Sequence, residues 1–242
     1  YGGRMSAVLD ITQKEGNRNE YHGSANIGVI SSKVSAEGPL GSGAFFVGGR
    51  RTYLELVKAF IPEDPEEPIP DFNFYDVNLK ITQDISEDDK IFLSGFISSD
   101  YLLYDSFGAT VDLNVGNKLA ALRWNHIFAN DLFLVTNLSA SNYKNELAGD
   151  QSGYEFIISN GITDITFKGS LEWFASEKIT AKFGYNVTNY QFDYLQNFTG
   201  NIDTLITDTT AGTVDIHVHD WKYDAFAQIN YRPTELLSLQ AG

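Results

Sequence analysis

The sequence has 242 residues, with 32 acidic and 17 basic side chains, a formal net charge of -15 and no cysteine. The acidic balance excludes a nucleic-acid binder, because phosphate recognition needs a basic surface, and the lack of cysteine excludes disulfides, thiolate metal sites and thiol nucleophiles. No run approaches the 18 or more apolar residues of a membrane helix, which excludes a helical membrane protein and leaves a barrel open.

The chain opens with YGGRMSAVLDITQKEG, in which a glycine pair is followed directly by an alternating strand. The only methionine is Met5, so we expect further sequence before Tyr1. The last residues stop just inside a strand, and we expect further sequence there too.

From residue 21 onward the dominant pattern alternates with period two. In FYDVNLKITQDI, apolar residues such as Tyr75 and Val77 alternate with polar ones such as Asp76 and Asn78, which is typical of a strand with one apolar and one wet face. The same pattern predicts ten strands and the start of an eleventh, over residues 21–29, 33–40, 44–53, 74–85, 90–101, 118–128, 132–143, 163–175, 179–190, 216–232 and 236–240.

The predicted connections alternate in length. Short turns fall at residues 41–43, 86–89, 129–131, 176–178 and 233–235, and long polar connections at 54–72, 102–115, 146–161 and 196–215. Short turns at one rim, long loops at the other and strands of about ten residues are the layout of an outer-membrane barrel. Aromatic residues beside the short turns suit an interfacial girdle, namely Phe128, Trp173, Phe174 and Tyr231.

A soluble β-sandwich or β-barrel with a buried apolar face is the alternative fold. Sandwich strands are typically about five or six residues long, whereas several strands here keep their alternation for ten or more. The sequence therefore favours an all-β, antiparallel transmembrane β-barrel.

Several stretches resemble TonB-dependent outer-membrane receptors, especially those of the Bacteroidetes type. The opening segment, followed by NEYHGSANIGVISSKVSAEGPL, resembles the junction between plug and barrel. The resemblance implies that residues 6–13 are the last plug strand and that a turn at Lys14-Glu15-Gly16 leads to the first barrel strand. GGRRTYLEL at residues 48–56, FYDVNLKI at 74–81 and NKLAALRWNHIF at 117–128 resemble the early barrel strands.

This resemblance implies a 22-stranded plugged barrel, of which residues 1–18 are the end of the plug and its junction and residues 19–242 are about the first half of the wall. It implies energy-coupled import of a bulky nutrient such as a ferric siderophore, haem, cobalamin, glycan or peptide. The implied partners are a TonB-type energy-coupling protein, acting through a plug region absent here, outer-membrane lipid and a surface lipoprotein. No covalent chemistry and no cofactor are implied.

The candidate site residues concern binding and gating. Arg4, where the plug would rest against the inner wall, could pair with wall carboxylates at Asp76, Asp84, Asp164 or Glu172, as either a fixed or a moving contact. Arg50 and Arg51 occupy opposite faces of one strand, and either could bind ligand, although an arginine snorkelling at the rim is the simpler interpretation.

The stretch DIHVHD places Asp215, His217 and His219 on one strand face, a spacing that can converge on a metal or an exposed haem iron. The alternative is a polar strand end above the membrane. No catalytic arrangement stands out. A small self-contained outer-membrane barrel, either a passive porin or a phospholipase-like enzyme with a serine–histidine pair at its lipid face, remains the alternative function.

Overall fold

The computed structural model describes residues 12–62, 68–106, 108–151, 153–203 and 206–242, which form one antiparallel sheet of eleven strands. The strands are β1 (His22–Ile27), β2 (Ser31–Leu40), β3 (Gly43–Thr52), β4 (Asp71–Asp84), β5 (Asp89–Ser106), β6 (Ala109–Ala129), β7 (Leu132–Gln151), β8 (Tyr154–Ser176), β9 (Ile179–Asp203), β10 (Ile206–Thr234) and β11 (Leu237–Ala241). One short helix, α1 (Leu54–Lys58), follows β3.

Every strand pairs with its neighbours in sequence, from β1 at one edge to β11 at the other. The sheet is an up-and-down meander, so each interior strand has its backbone groups paired on both sides. The predicted set of ten strands and the start of an eleventh is confirmed, as are the short turns at one rim.

Three of the four predicted long connections are wrong. Residues 102–115, 146–161 and 196–215 were expected to be polar loops, but β5–β6, β7–β8 and β9–β10 continue as paired strands through most of them. On the β6 extension the alternation is inverted, with Val111, Leu113 and Val115 on the face that is polar lower down. The pattern of one lipid face and one wet face therefore ends, although the backbone ladder continues. Among the described residues, the β3–β4 connection is the one with a long non-strand stretch, at residues 53–62 with α1 and at residues 68–70.

The strand register assembles one continuous apolar face. Leu93, Leu122, Leu138, Phe167 and Val187 pair in succession across β5 to β9. Leu138 is 48% exposed and Phe167 is 42% exposed, because no other element among the described residues packs against this face. An uncovered apolar surface of this extent indicates contact with lipid.

The opposite face is polar along the same strands. A row directly beside the one above runs across β4 to β10 through Lys80, Ser94, Ala121, Ser139, Thr166, Thr188 and Lys222. Hydroxyl groups on this face contact each other, as between Thr166 and Thr188 at 3.0 Å. The predicted separation into an apolar and a wet face is therefore confirmed.

Aromatic side chains mark the short-turn rim of the apolar face. The Trp124 indole donates to Asp89 at 2.8 Å, and the Trp173 indole donates to Asp131 at 3.2 Å. The rings of Trp124, His126 and Phe128 follow one another at centroid distances of 5.4 and 4.4 Å. Indoles with a ring on the apolar surface and an N–H bonded at the turns are typical of an interfacial girdle.

The spacing of these features fits a bilayer. Phe128 in the girdle and Lys118, the first charged residue above it on the same face, are ten positions apart on β6. That separation is about 34 Å along the strand and about 25 Å across the membrane at a tilt of about 40°. The fold is therefore the wall of an antiparallel transmembrane β-barrel.

Among the described residues, no helix has the length and apolar character needed to cross a membrane.

Adjacent positions on β7 test the assignment of faces. We expect Leu138→Arg to lower the free energy of unfolding by about 2–4 kcal/mol, because it puts a charge on the lipid face near the middle of the apolar belt. Ser139→Arg is the matched control, since Ser139 lies on the polar face. Both can be measured by denaturant unfolding of the protein in phospholipid vesicles, and equal losses would contradict the assignment.

Candidate functional site on the polar face of the wall

Residues 12–20, here called the anchor segment, lie against the polar face before the chain enters β1. The Gln13 amide donates to Asn78 on β4 at 3.2 Å. Lys14 forms an ion pair with Glu37 on β2, and Arg18 forms one with Asp84 at the end of β4. The anchor segment is therefore tied to two strands of the wall at three points along its length.

Gly16 lets this segment approach the wall closely. Its φ of 93° lies in the left-handed region that favours glycine, and a Cβ placed on it would lie 2.2 Å from the backbone oxygen of Phe45 on β3. Gly16, the last residue of the predicted Lys14-Glu15-Gly16 turn, is therefore the point where the backbone of the anchor segment meets the backbone of the wall.

Arg18 fixes the lower end of the anchor segment at the short-turn rim. Its guanidinium donates to Asp84 and to the backbone oxygen of Ser42 in the β2–β3 turn, and Lys90 approaches Asp84 at 3.2 Å. One residue earlier, the Asn17 side chain accepts bonds from two following backbone N–H groups at 2.8 and 3.0 Å. This Asx turn redirects the chain into β1.

Beside the anchor segment, two cations converge on one buried ring. Phe92 on β5 is only 4% exposed. The Arg123 guanidinium lies 4.2 Å from the centre of the Phe92 ring, and the Lys80 ammonium lies 5.3 Å from it. Both distances are within the range of a cation–π interaction, so this part of the lumen face has a fixed, positively charged surface.

The four predicted wall carboxylates all lie on the polar face, in two groups. Asp76 and Asp84 are on β4, and Asp164 and Glu172 are on β8. Asp164 accepts a hydrogen bond from Ser141, and Asp84 bonds Arg18 as described. Arg4 lies outside the described residues, so its pairing with any of the four stays a prediction.

Arg50 and Arg51 occupy opposite faces of β3, as expected. Arg50 is on the polar face, bonded to Asp76 at 2.7 Å and lying 4.6 Å from the centre of the Phe74 ring. Arg51 is on the apolar-face side and pairs with Glu55 of α1 at 3.3 Å. Arg50 is therefore the one of the two that faces the lumen, and ligand binding by either stays a prediction.

Asp215, His217 and His219 share one face of β10, as expected, and the two histidines have different partners. His217 contacts Asp193 at 2.6 Å and Asp215 at 3.0 Å, whereas His219 bonds Asn189 at 2.7 Å. No group of three possible metal ligands converges within the described part of the chain.

These residues also face away from the lumen, because His219 shares its face with Trp221 of the apolar belt. His217 lies above that belt, where first Asp193 and then Asp215 raise the pKa of its imidazole. Metal or haem binding by these residues therefore stays a prediction, as does the alternative of a polar strand end above the membrane.

Sequence reasoning missed Lys14 and Arg18 as contact residues. Both lie in a stretch interpreted only as a turn and a junction, and their partners Glu37 and Asp84 are distant in sequence. The sequence does contain a signal for such ion pairs, since two basic residues of this segment precede strands that carry acidic residues on the polar face. Which carboxylate each basic residue pairs with depends on how far the segment extends along the wall toward the short-turn rim, and the sequence alone does not give this distance.

The fold and the anchor segment together define a class: a transmembrane β-barrel wall whose lumen face holds a segment of its own chain. No protein-family model matches the sequence, and no curated protein matches it. Among solved structures, the chain is similar to the ferric yersiniabactin uptake receptor FyuA from Yersinia pestis, with a TM-score of 0.58 and 11% identity. The match covers 85% of this chain and 35% of that receptor. At this identity the likeness shows the fold alone.

A disulfide can test the position of the anchor segment, since the sequence has no native cysteine. We expect Gln13→Cys with Asn78→Cys to cross-link on mild oxidation, because these side chains meet on the polar face. Gln13→Cys with Val77→Cys is the control, since Val77 points to the opposite face. Peptide mass spectrometry would identify the link, and equal yields from both pairs would contradict the placement.

Glycine substitutions test the close approach at Gly16. We expect Gly16→Ala to reduce the yield of the 13–78 cross-link several-fold, because its Cβ collides with backbone that cannot rotate away. Gly108→Ala is the control: Gly108 also has positive φ, at 74°, but nothing lies within 4 Å of the added Cβ. An unchanged yield in Gly16→Ala would show that the segment does not touch β3.

Proposed function

We propose that this chain is part of a TonB-dependent outer-membrane receptor for energy-coupled uptake of a bulky nutrient: a ferric siderophore, haem, cobalamin, a glycan or a peptide. Residues 1–18 are the end of the plug and its junction, and residues 19–242 are about the first half of the barrel. The Bacteroidetes type is the finer assignment, and it rests on the sequence stretches named above.

The anchor segment is the observation that carries this proposal. It reaches the rim along the lumen face, turns at Asn17 and continues directly into β1. A passive porin needs no chain segment fixed inside its wall in this way. A plugged receptor does, because its plug precedes the barrel in sequence and has to be connected to the wall at one rim.

The chemistry of the anchor segment suits a plug that has to move. The contacts of its upper part are polar, and in the Lys14–Glu37 pair the Lys14 side chain is 62% exposed. Ion pairs this open to solvent contribute little to stability. Such contacts can exchange with water at small cost. A pull on the plug can therefore rearrange the upper part of the segment while Gly16 and Arg18 keep the rim contact.

The two free edges of the sheet support a larger barrel. In lipid, unpaired backbone groups are costly, so the strands of a membrane sheet have to pair into a closed barrel. β1 and β11 have six and five residues and do not pair with each other in the described structure. Further strands of a larger wall would satisfy both edges, and the anchor segment would then lie inside it.

The alternative of a self-contained porin or phospholipase-like barrel has less support. A lipid-face esterase needs a serine hydroxyl bonded to a histidine. Among the described residues, His126 bonds Asp89, His217 contacts Asp193 and Asp215, and His219 bonds Asn189. None of these contacts is with a serine.

Mass and growth measurements test the proposal. The native polypeptide, taken from isolated outer membranes and identified by peptides of this sequence, should be far heavier than 26.9 kDa. Strains lacking either this gene or the energy-coupling protein should then lose growth on the same nutrient, in a panel of ferric siderophores, haem, cobalamin and glycans.

Two outcomes would contradict the receptor. A native mass close to 26.9 kDa would indicate a small or oligomeric barrel. Growth that depends on this gene but persists without the energy-coupling protein would indicate passive diffusion. Complementation with the oxidised Gln13→Cys, Asn78→Cys variant shows whether uptake continues when the anchor segment is cross-linked to the wall. Complementation with the Gln13→Cys, Val77→Cys variant controls for general effects of the substitutions.

A further inference from the structure

A notch lies on the apolar-face side of the wall, just above the apolar belt. Its floor is Gly116 on β6, whose direct partners on this face are Ser99 on β5 and Lys144 on β7. Lys118 lies two residues below Gly116. The notch has a volume of about 360 Å³, and an added Cβ at Gly116 would have its nearest contact 3.9 Å away, so the missing side chain leaves real space.

The height of the notch places it at the level of lipid headgroups. Ala120 and Ala140 form the last apolar pair of the belt at this point, and Lys118 pairs with Asn142 directly above them. Lys118 is about 25 Å above the aromatic girdle, as estimated from the strand geometry. A molecule in the notch would therefore have the belt, and the acyl chains that cover it, directly below.

The polar groups around the notch favour an anion. Lys144 pairs with Glu146 at the upper margin at 3.4 Å, whereas Lys118 has no carboxylate within 4.0 Å among the described residues. Ser99 and Asn142 add a hydroxyl and an amide to the lining. The rest of this face above the belt is acidic, with Asp112, Asp193 and Asp215, so the notch is a local cationic site on a negative surface.

We propose that Lys118 and Lys144 bind the phosphate group of a phosphorylated outer-leaflet lipid in this notch. The proposal rests on the outer-membrane location given under the proposed function, but not on uptake. Two ammonium groups at headgroup height are suited to a phosphate, and the belt below favours a lipid over a free anion because it binds the attached acyl chains. The wall thus has a specific lipid contact at one place rather than an even annulus.

Native mass spectrometry of the full-length protein in detergent tests the site, with bisphosphorylated lipid A as the probe. We expect Lys118→Gln with Lys144→Gln to weaken binding about thirtyfold, the factor that corresponds to about 1 kcal/mol for each lysine near a charged lipid surface. Monophosphoryl lipid A should bind the native protein more weakly and be less affected by the substitutions.

Lys168→Gln with Lys222→Gln is the matched control. These two lysines lie on the polar face of the same wall. Like the notch pair, they comprise one lysine near a carboxylate, Lys222 at 3.3 Å from Asp224, and one, Lys168, with no carboxylate within 4.0 Å among the described residues. We expect this control to bind lipid A as the native protein does, with both double variants keeping the native fold by circular dichroism.

Three results would overturn the proposal: no loss in the notch variant, an equal loss in the polar-face control, or complete competition by inorganic phosphate, which would indicate a free-anion site. Because the readout is lipid binding by purified protein, it is independent of nutrient uptake. If the protein binds lipid A at the notch but fails the growth test, the receptor proposal is contradicted and the lipid site is still supported.

Discussion

The rest of this structure depends on the absence of water in the bilayer core. Without water, each backbone N–H and C=O group inside the membrane needs a partner in the protein. The meander meets this requirement with strands of up to 29 residues whose register continues without interruption over most of their length. Once the register is set, alternate side chains of each strand point to lipid and to the lumen. The contacts of the anchor segment and the position of the notch follow from this alternation.

The wall could be predicted from the sequence because its amphipathic signal is strong inside the membrane. Residues 163–175 alternate clearly, and β8 crosses the belt there with Ile165, Phe167 and Trp173 on the lipid side. Above the belt, water replaces lipid and apolar side chains no longer keep to one face, as Phe156 and Ile157 on opposite faces of β8 show. The period-two pattern therefore missed the first nine residues of β8, which begins at Tyr154. The alternation of apolar and polar residues reflects lipid on one side of the strand and water on the other, and it ends where both sides face water.

The candidate site was less predictable because its contacts connect residues that are distant in sequence. The sequence alone placed Asp76 and Asp84 on the wet face, because they are an even number of residues apart on one strand and side chains alternate between its two faces. It did not show that Asp84 would be bound by Arg18, 66 residues earlier, or that Asp76 would be bound by Arg50. Such pairing depends on the height of each group on the wall, which is set by turn positions and strand tilt rather than by alternation.

The extended β7–β8 hairpin determines how another protein would recognise the part of this wall above the apolar belt. Its residues alternate between two faces, so Asp150 and Glu155 lie side by side on one face while Gly149 and Phe156 lie together on the other. A contiguous patch of surface is therefore made of every second residue from neighbouring strands. An antibody or phage protein that binds this rigid wall would read a conformational epitope, which a linear peptide of the same sequence does not reproduce.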